Sequence, residues 1–136
     1  MPTTAAEKSI QVVAGIIWNS TRDALLIACR PEHLHKGGYW EFPGGKIEQN
    51  ETAEQALARE LQEELNIRFS DYRFFRAVDF AYPEKQVSLR FFEVFDVNGE
   101  IRANEGQQWR WINLPDLRHY RFPEANRAIV EALLQA

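Results

Sequence analysis

Residues 45–67 read GKIEQNETAEQALARELQEELNI, and the acids Glu60, Glu63 and Glu64 fall where an amphipathic helix would be apolar. At about 100° per residue, with Leu57 set at zero, Ala53, Leu61 and Leu65 lie at about −40°, about +40° and about +80° and define a buried stripe. On the same wheel Glu64 falls at about −20°, inside the stripe, with Glu60 at about −60° and Glu63 at about −120°. An ionised carboxylate taken out of water costs several kcal/mol unless it is paired or bound to a cation. The economical reading is a metal site built on a helix. Carboxylates at i, i+3 and i+4 can converge on hard divalent ions, and Mg²⁺ prefers such oxygen ligands in octahedral geometry. The plainer reading, glutamates solvating an exposed helix face, gives no reason for Glu64 to share an angle with Leu57 and Leu61.

Several elements must position these acids. Thr52-Ala53-Glu54-Gln55 has the S/T-x-x-E/Q form of a capping box, so the helix begins there. It should end at Asn66, which tolerates the left-handed conformation of a helix C-terminus, with Ile67 supplying the closing apolar contact. Upstream, residues 10–18 (IQVVAGIIW) and 24–28 (ALLIA) are short, β-branched-rich runs joined by a polar turn and read as two strands. A polar loop over residues 30–39 leads into Trp40-Glu41-Phe42-Pro43 and then Gly44-Gly45, where backbone can approach a ligand closely. Downstream, residues 72–81 and 87–97 have strand composition. Asn98-Gly99 is a hairpin signal leading into Glu100-Ile101, and residues 109–112 form another short strand. Pro123 opens a last helix in which Ile129, Val130, Leu133 and Leu134 have helical spacing. The expected class is α/β (α+β): one mixed β-sheet packed by helices on both faces.

The 136 residues, 45% hydrophobic, suffice for one well-formed core, so residues 1–136 are read as a single domain. Sixteen basic against twenty acidic residues give a net charge of −4, which argues against duplex nucleic acid as a partner. Cys29 is the only cysteine, which rules out an intrachain disulfide and a cysteine zinc cluster. Neither a signal peptide nor a membrane span is evident, so a cytoplasmic protein is expected. His33 and His35 form an H-x-H pair, but no third ligand accompanies them and a solvated loop is the preferred reading.

Counted outward from the helix, Gly45 is followed after five residues by Glu51, and Glu51 after seven by Arg59-Glu60-Leu61-Gln62-Glu63-Glu64. This resembles the Nudix box, G-x5-E-x7-R-E-U-x-E-E-x-G-U, with U a bulky aliphatic residue. The last glycine is Asn66 here, which can serve the same helix termination. The resemblance implies a Nudix-type α/β/α sandwich and a metal-dependent hydrolase of phosphoanhydrides, with Mg²⁺ as cofactor and Mn²⁺ as the alternative. Such chemistry needs polyphosphate charge neutralised, water activated and the leaving oxygen stabilised. By resemblance, Glu60, Glu63, Glu64, Glu105 and the Gly44 carbonyl are metal ligands, and Glu60 or Glu105 is the catalytic base. Gly45, Glu51 and Arg59 are structural, the last two as an ion pair bracing the loop against the helix.

Beyond the box, VVAGIIWN, LLIACR, WEFPGGKIE, RELQEELNI and FPEAN resemble segments of MutT-type 8-oxo-dGTP diphosphatases, in the same order. That likeness implies a nucleoside triphosphate substrate. It places Arg30, His35, Glu41, Phe42, Pro43, Gly44, Lys85 and Asn126 at substrate, with Asn126 reading the oxidised base. An amide can give and accept hydrogen bonds side by side, which suits a ring edge offering a carbonyl oxygen beside an N–H. The expected reaction is 8-oxo-dGTP to 8-oxo-dGMP and pyrophosphate, removing a mutagenic precursor from the nucleotide pool, carried out by a monomer with a dimer left open. Two alternatives remain: the same chemistry on another triphosphate or a nucleotide sugar, and a non-catalytic Nudix-fold recognition module.

Overall fold

The computed structural model describes residues 9–30 and 38–135. His33 and His35 lie outside the described residues. The chain runs β1 (Ile10–Trp18), β2 (Ala24–Cys29), β3 (Trp40–Glu41), β4 (Gly44–Lys46), α1 (Ala53–Leu65), β5 (Arg68–Tyr82), β6 (Lys85–Asn98) and β7 (Gln108–Asn113). Two 3₁₀ turns, Leu114–His119 and Glu124–Asn126, then lead into α2 (Arg127–Gln135).

All seven strands join one sheet, mixed because β1 runs parallel to β6 from Ile10↔Val87 to Ile17↔Val94 while every other pairing is antiparallel. The apolar run of β1 has no polar face because both of its faces are covered. Val13 and Ile17 pack with Leu57, Leu61 and Leu65 of α1, whereas Ala14, Ile16 and Trp18 pack with the core that holds Leu117, Ile129 and Leu133. Helices on both faces of a mixed sheet are the layering expected from the sequence.

The segment that matters most lies inside the sheet. β7 pairs with β2 over Ala24–Cys29, so β1 (at Leu25 and Leu26) and β3 (at Ala28 and Cys29) must share the opposite edge of β2. Likewise β6 occupies one edge of β1, and β4 shares the other with β2. β1 and β2 therefore splay apart, and residues 40–46 fill the wedge, crossing from one to the other where Gly15 N–H donates to the Pro43 carbonyl at 2.7 Å.

α1 has the termini its sequence encodes. Thr52 and Gln55 form a reciprocal capping box, and Asn66 ends the helix at φ 60°. One expectation fails: Asn98-Gly99 does not open a hairpin. The β5–β6 hairpin turns instead at Pro83-Glu84, between Tyr82 and Lys85. Gly99, at φ 105°, packs where a Cβ would meet the Asn66 carbonyl oxygen, so the chain turns there to follow the end of α1. Residues 100–106 form a loop whose Arg102 and Asn104 N–H groups donate to the Leu65 and Glu64 carbonyls at 3.0 and 3.1 Å. The helix end leaves carbonyls to satisfy, and this loop satisfies two of them. Among the described residues no helix is long and apolar enough to cross a membrane.

Candidate active site

The acids of α1 are graded by depth. Glu64 is 6% exposed, the Glu60 side chain 17% and the Glu63 side chain 59%, following the order of their angles to the buried stripe. Arg59 organises the outer two: its guanidinium reaches Glu60 Oε2 at 3.0 Å and Glu63 Oε1 at 3.2 Å. It also grips Glu51 with two bonds, at 2.6 and 2.9 Å, and the Lys46 carbonyl at 3.0 Å. One side chain thus ties the loop after β4 to the helix that carries the acids.

That grip holds the Glu51 carboxyl down at about 2, through the Arg59 hydrogen bonds first and the Glu48 N–H second. A depressed folded-state pKa contributes stability that is fully present above 4.5 and is lost as the pH falls toward 2. Glu51→Gln should therefore lower Tm at neutral pH, with the gap to the parent closing across that acid window. A gap independent of pH would show that the Glu51 charge contributes nothing.

Glu64 has no ion-pair partner among the described residues. Burial pushes its carboxyl up to about 8, and the negative charges of Glu41, Glu105 and Glu60 add to the shift against a Gln107 hydrogen bond. Burial likewise raises Glu60, opposed by Arg59, and Glu41, opposed by Arg30. Glu105, from the loop that caps α1, thereby stands within electrostatic reach of Glu41, Glu60 and Glu64. Crowded, partly buried carboxylates, of which Glu64 has no ion-pair partner among the described residues, are a donor set suited to a hard divalent cation. The acids share one wall without closing on a common point: among the described residues no three acidic, His or Cys side chains are close enough to hold an ion. Glu60 and Glu63 turn instead to Arg59.

The two glycines of β4 connect this wall to a cleft. At Gly45 a Cβ would run into the Glu60 carboxylate, whereas at Gly44 it would run into the Val13 carbonyl and Ala14 Cα of β1. Gly44→Ala must move backbone in the sheet centre and should lose about 1–3 kcal/mol of stability. Gly45→Ala need displace only a side chain, so it should unfold near the parent Tm yet lose activity with Glu60 out of place. Equal loss of stability in both variants would contradict this division.

The cleft, of about 250 Å³, is bordered by Arg30, Glu41, Phe42, Gly44, Lys85 and Asn126, six of the residues predicted from the sequence to meet substrate. Arg30 and Glu41 pair at 2.9 Å. Phe42 stacks on Phe122 at 5.1 Å and forms part of the floor. Pro43 is not among the lining residues; its carbonyl is committed to Gly15. Asn126 is 7% exposed, and its side-chain amide has no hydrogen-bond partner among the described residues. Buried polar groups are nearly always paired, so an unpaired amide on a cleft wall points to a ligand.

Sequence reasoning passed over Tyr82, Lys46 and the apolar wall of Val12, Val87 and Leu89. Tyr82 was detectable in principle, since it alternates with Phe80 and Val78 toward one face of the strand. The composition signal ended one residue short of it.

Fold and box together define a Nudix protein: the NUDIX domain family matches residues 9–133, and the chain belongs to that family. It is similar to the 8-oxo-dGTP diphosphatase of Escherichia coli (strain K12), 37% identical over 126 residues that cover 93% of this chain and 97% of that one. The CTP pyrophosphohydrolase of the same organism is 33% identical over 127 residues, 93% of each chain. A solved MutT structure, from work on the Aliivibrio salmonicida and Vibrio cholerae proteins, superposes with a TM-score of 0.82 at 43% identity, covering 94% of this chain and 98% of that one. Nudix hydrolases depend on divalent metal ions, which the acid wall suits.

Proposed function

We propose that this chain, working as one cytoplasmic domain and as a monomer, hydrolyses 8-oxo-dGTP to 8-oxo-dGMP and pyrophosphate and so clears a mutagenic precursor from the nucleotide pool. The carrying observation is the buried Asn126 amide, without a hydrogen-bond partner among the described residues, in a cleft that meets the acid wall at Gly44-Gly45. In this reading Asn126 gives and accepts hydrogen bonds at the 8-oxo edge, while normal guanine, with a bare acceptor there, leaves one of those groups unmatched. Phe42 and the aliphatic wall hold the ring. Arg30, Glu41 and Lys85 border the sugar and phosphates, with residues 42–44 forming the nearby backbone; His35, assigned to substrate by the sequence resemblance, lies outside the described residues.

Glu60, Glu63, Glu64, Glu105 and the Gly44 carbonyl are the groups that would hold the cation, for which Mg²⁺ is the first choice and Mn²⁺ the second. Bound there, it would supply charge neutralisation for the polyphosphate and acidify the attacking water. Glu60 or Glu105 accepts the proton of that water. Arg59 steadies Glu60 and Glu63, and Glu51 steadies Arg59. The test is pyrophosphate release from a panel of nucleotides. Turnover of 8-oxo-dGTP that needs Mg²⁺, and whose kcat/KM exceeds that for dGTP, supports the reading; a ratio at or below one rejects the substrate. The likeness to a CTP pyrophosphohydrolase favours a second reading, a pyrimidine triphosphate, and the same panel decides between them.

A further inference from the structure

We propose that Tyr82 is a positioning residue for base discrimination: its hydroxyl holds the turn that presents Asn126 to the cleft. This rests on the reading that Asn126 recognises the base.

Asn126 closes the short 3₁₀ turn Glu124–Asn126, and since its amide has no hydrogen-bond partner among the described residues, the backbone of that turn sets where the side chain points. The start of a helical segment carries N–H groups with no internal partner, and Pro123, at the cap position here, makes no side-chain cap bond. The Ala125 N–H is satisfied from another element altogether. It donates to the Tyr82 hydroxyl at 3.1 Å, across a separation of 43 residues. Tyr82 is itself well anchored. It ends β5 paired with Lys85 across the two-residue Pro83-Glu84 turn, and its ring packs on Phe80 at 4.8 Å. Tyr82, Ala125 and Asn126 all border the cleft. The sheet thus holds the recognition turn through the Tyr82 hydroxyl, beside Asn126 on the cleft wall. Its influence should fall on which base is accepted rather than on bond cleavage.

The experiment compares Tyr82→Phe, Asn126→Ala and the double variant, with kcat and KM measured separately for 8-oxo-dGTP and dGTP. Loss of one oriented hydrogen bond should lower the 8-oxo-dGTP to dGTP ratio of kcat/KM by roughly three- to tenfold in Tyr82→Phe. That loss should appear in KM for 8-oxo-dGTP rather than in kcat. In the Asn126→Ala background, Tyr82→Phe should change the ratio no further, because the side chain it positions is gone. An unchanged ratio in Tyr82→Phe beside a lowered one in Asn126→Ala would overturn the positioning role. So would an equal loss on both substrates, the mark of a purely structural residue, or a Tyr82 effect that persists without Asn126. If Asn126→Ala itself leaves the ratio unchanged, the base-reading assignment fails first and the role of Tyr82 falls with it.

Discussion

Glu60→Gln is expected to reduce kcat by about three orders of magnitude or more, the combined effect of removing a metal-binding oxygen and a candidate proton acceptor. The substitution is nearly isosteric, and the geometry around Glu60 suggests that the fold will tolerate it. Its carboxylate rests against the Cα of Gly45 and accepts one bond from Arg59, which a glutamine carbonyl can still accept. Burial already raises the Glu60 carboxyl, so replacing the charge with a neutral amide removes a desolvation cost. Tm should accordingly stay level or rise slightly in the metal-free protein while turnover collapses. Near-normal turnover would reject the active-site assignment. A collapse of Tm together with activity would make Glu60 a structural residue instead. Glu105→Gln, assayed beside it, identifies the proton acceptor: the variant with the deeper loss in kcat at saturating Mg²⁺ has lost the base.

Asn126→Ala should remove most of the preference for the oxidised base, lowering the 8-oxo-dGTP to dGTP ratio of kcat/KM by about two orders of magnitude or more. Sites built around a specific hydrogen-bond pattern discriminate on that scale because the wrong ligand strands a buried polar group. The stability result is the sharper diagnostic. Truncating a buried side chain normally destabilises, but this amide has no partner to lose among the described residues. Taking it away relieves an unmet hydrogen-bonding demand in the ligand-free protein, so Tm should hold or rise. A large fall in Tm with an unaltered ratio would identify Asn126 as a packing residue and return the substrate question to the apolar wall of the cleft.

Local signals carried the sequence reading wherever local physics decides. The capping box at Thr52 and Gln55 and the left-handed Asn66 bracketed α1 correctly because each acts within a few residues of itself. The angular positions of Glu60, Glu63 and Glu64 predicted their order of burial because a helix has a fixed pitch. Asn98-Gly99 misled because its glycine is required for a contact with Asn66, more than thirty residues away, and composition alone cannot distinguish that need from a hairpin turn. Tyr82 escaped notice for a related reason: its bond to Ala125 exists only once β5 and the turn before α2 have been brought together.

By itself the sequence determined the chemistry on offer. Acids at fixed helical spacing offered a donor set for a hard cation, since pitch and burial follow from spacing, and the resemblance of Gly45, Glu51 and Arg59 to the Nudix box made the expected chemistry metal-dependent hydrolysis. Tertiary structure alone decided how that site is assembled. β1 and β2 splay so that residues 40–46 enter the sheet, the loop after β6 caps α1 and brings Glu105 to the acids, and the turn before α2 sets on the cleft wall an amide with no partner among the described residues. These are contacts between elements distant in sequence, fixed by packing and by the need to pair buried polar groups, and no local pattern encodes them.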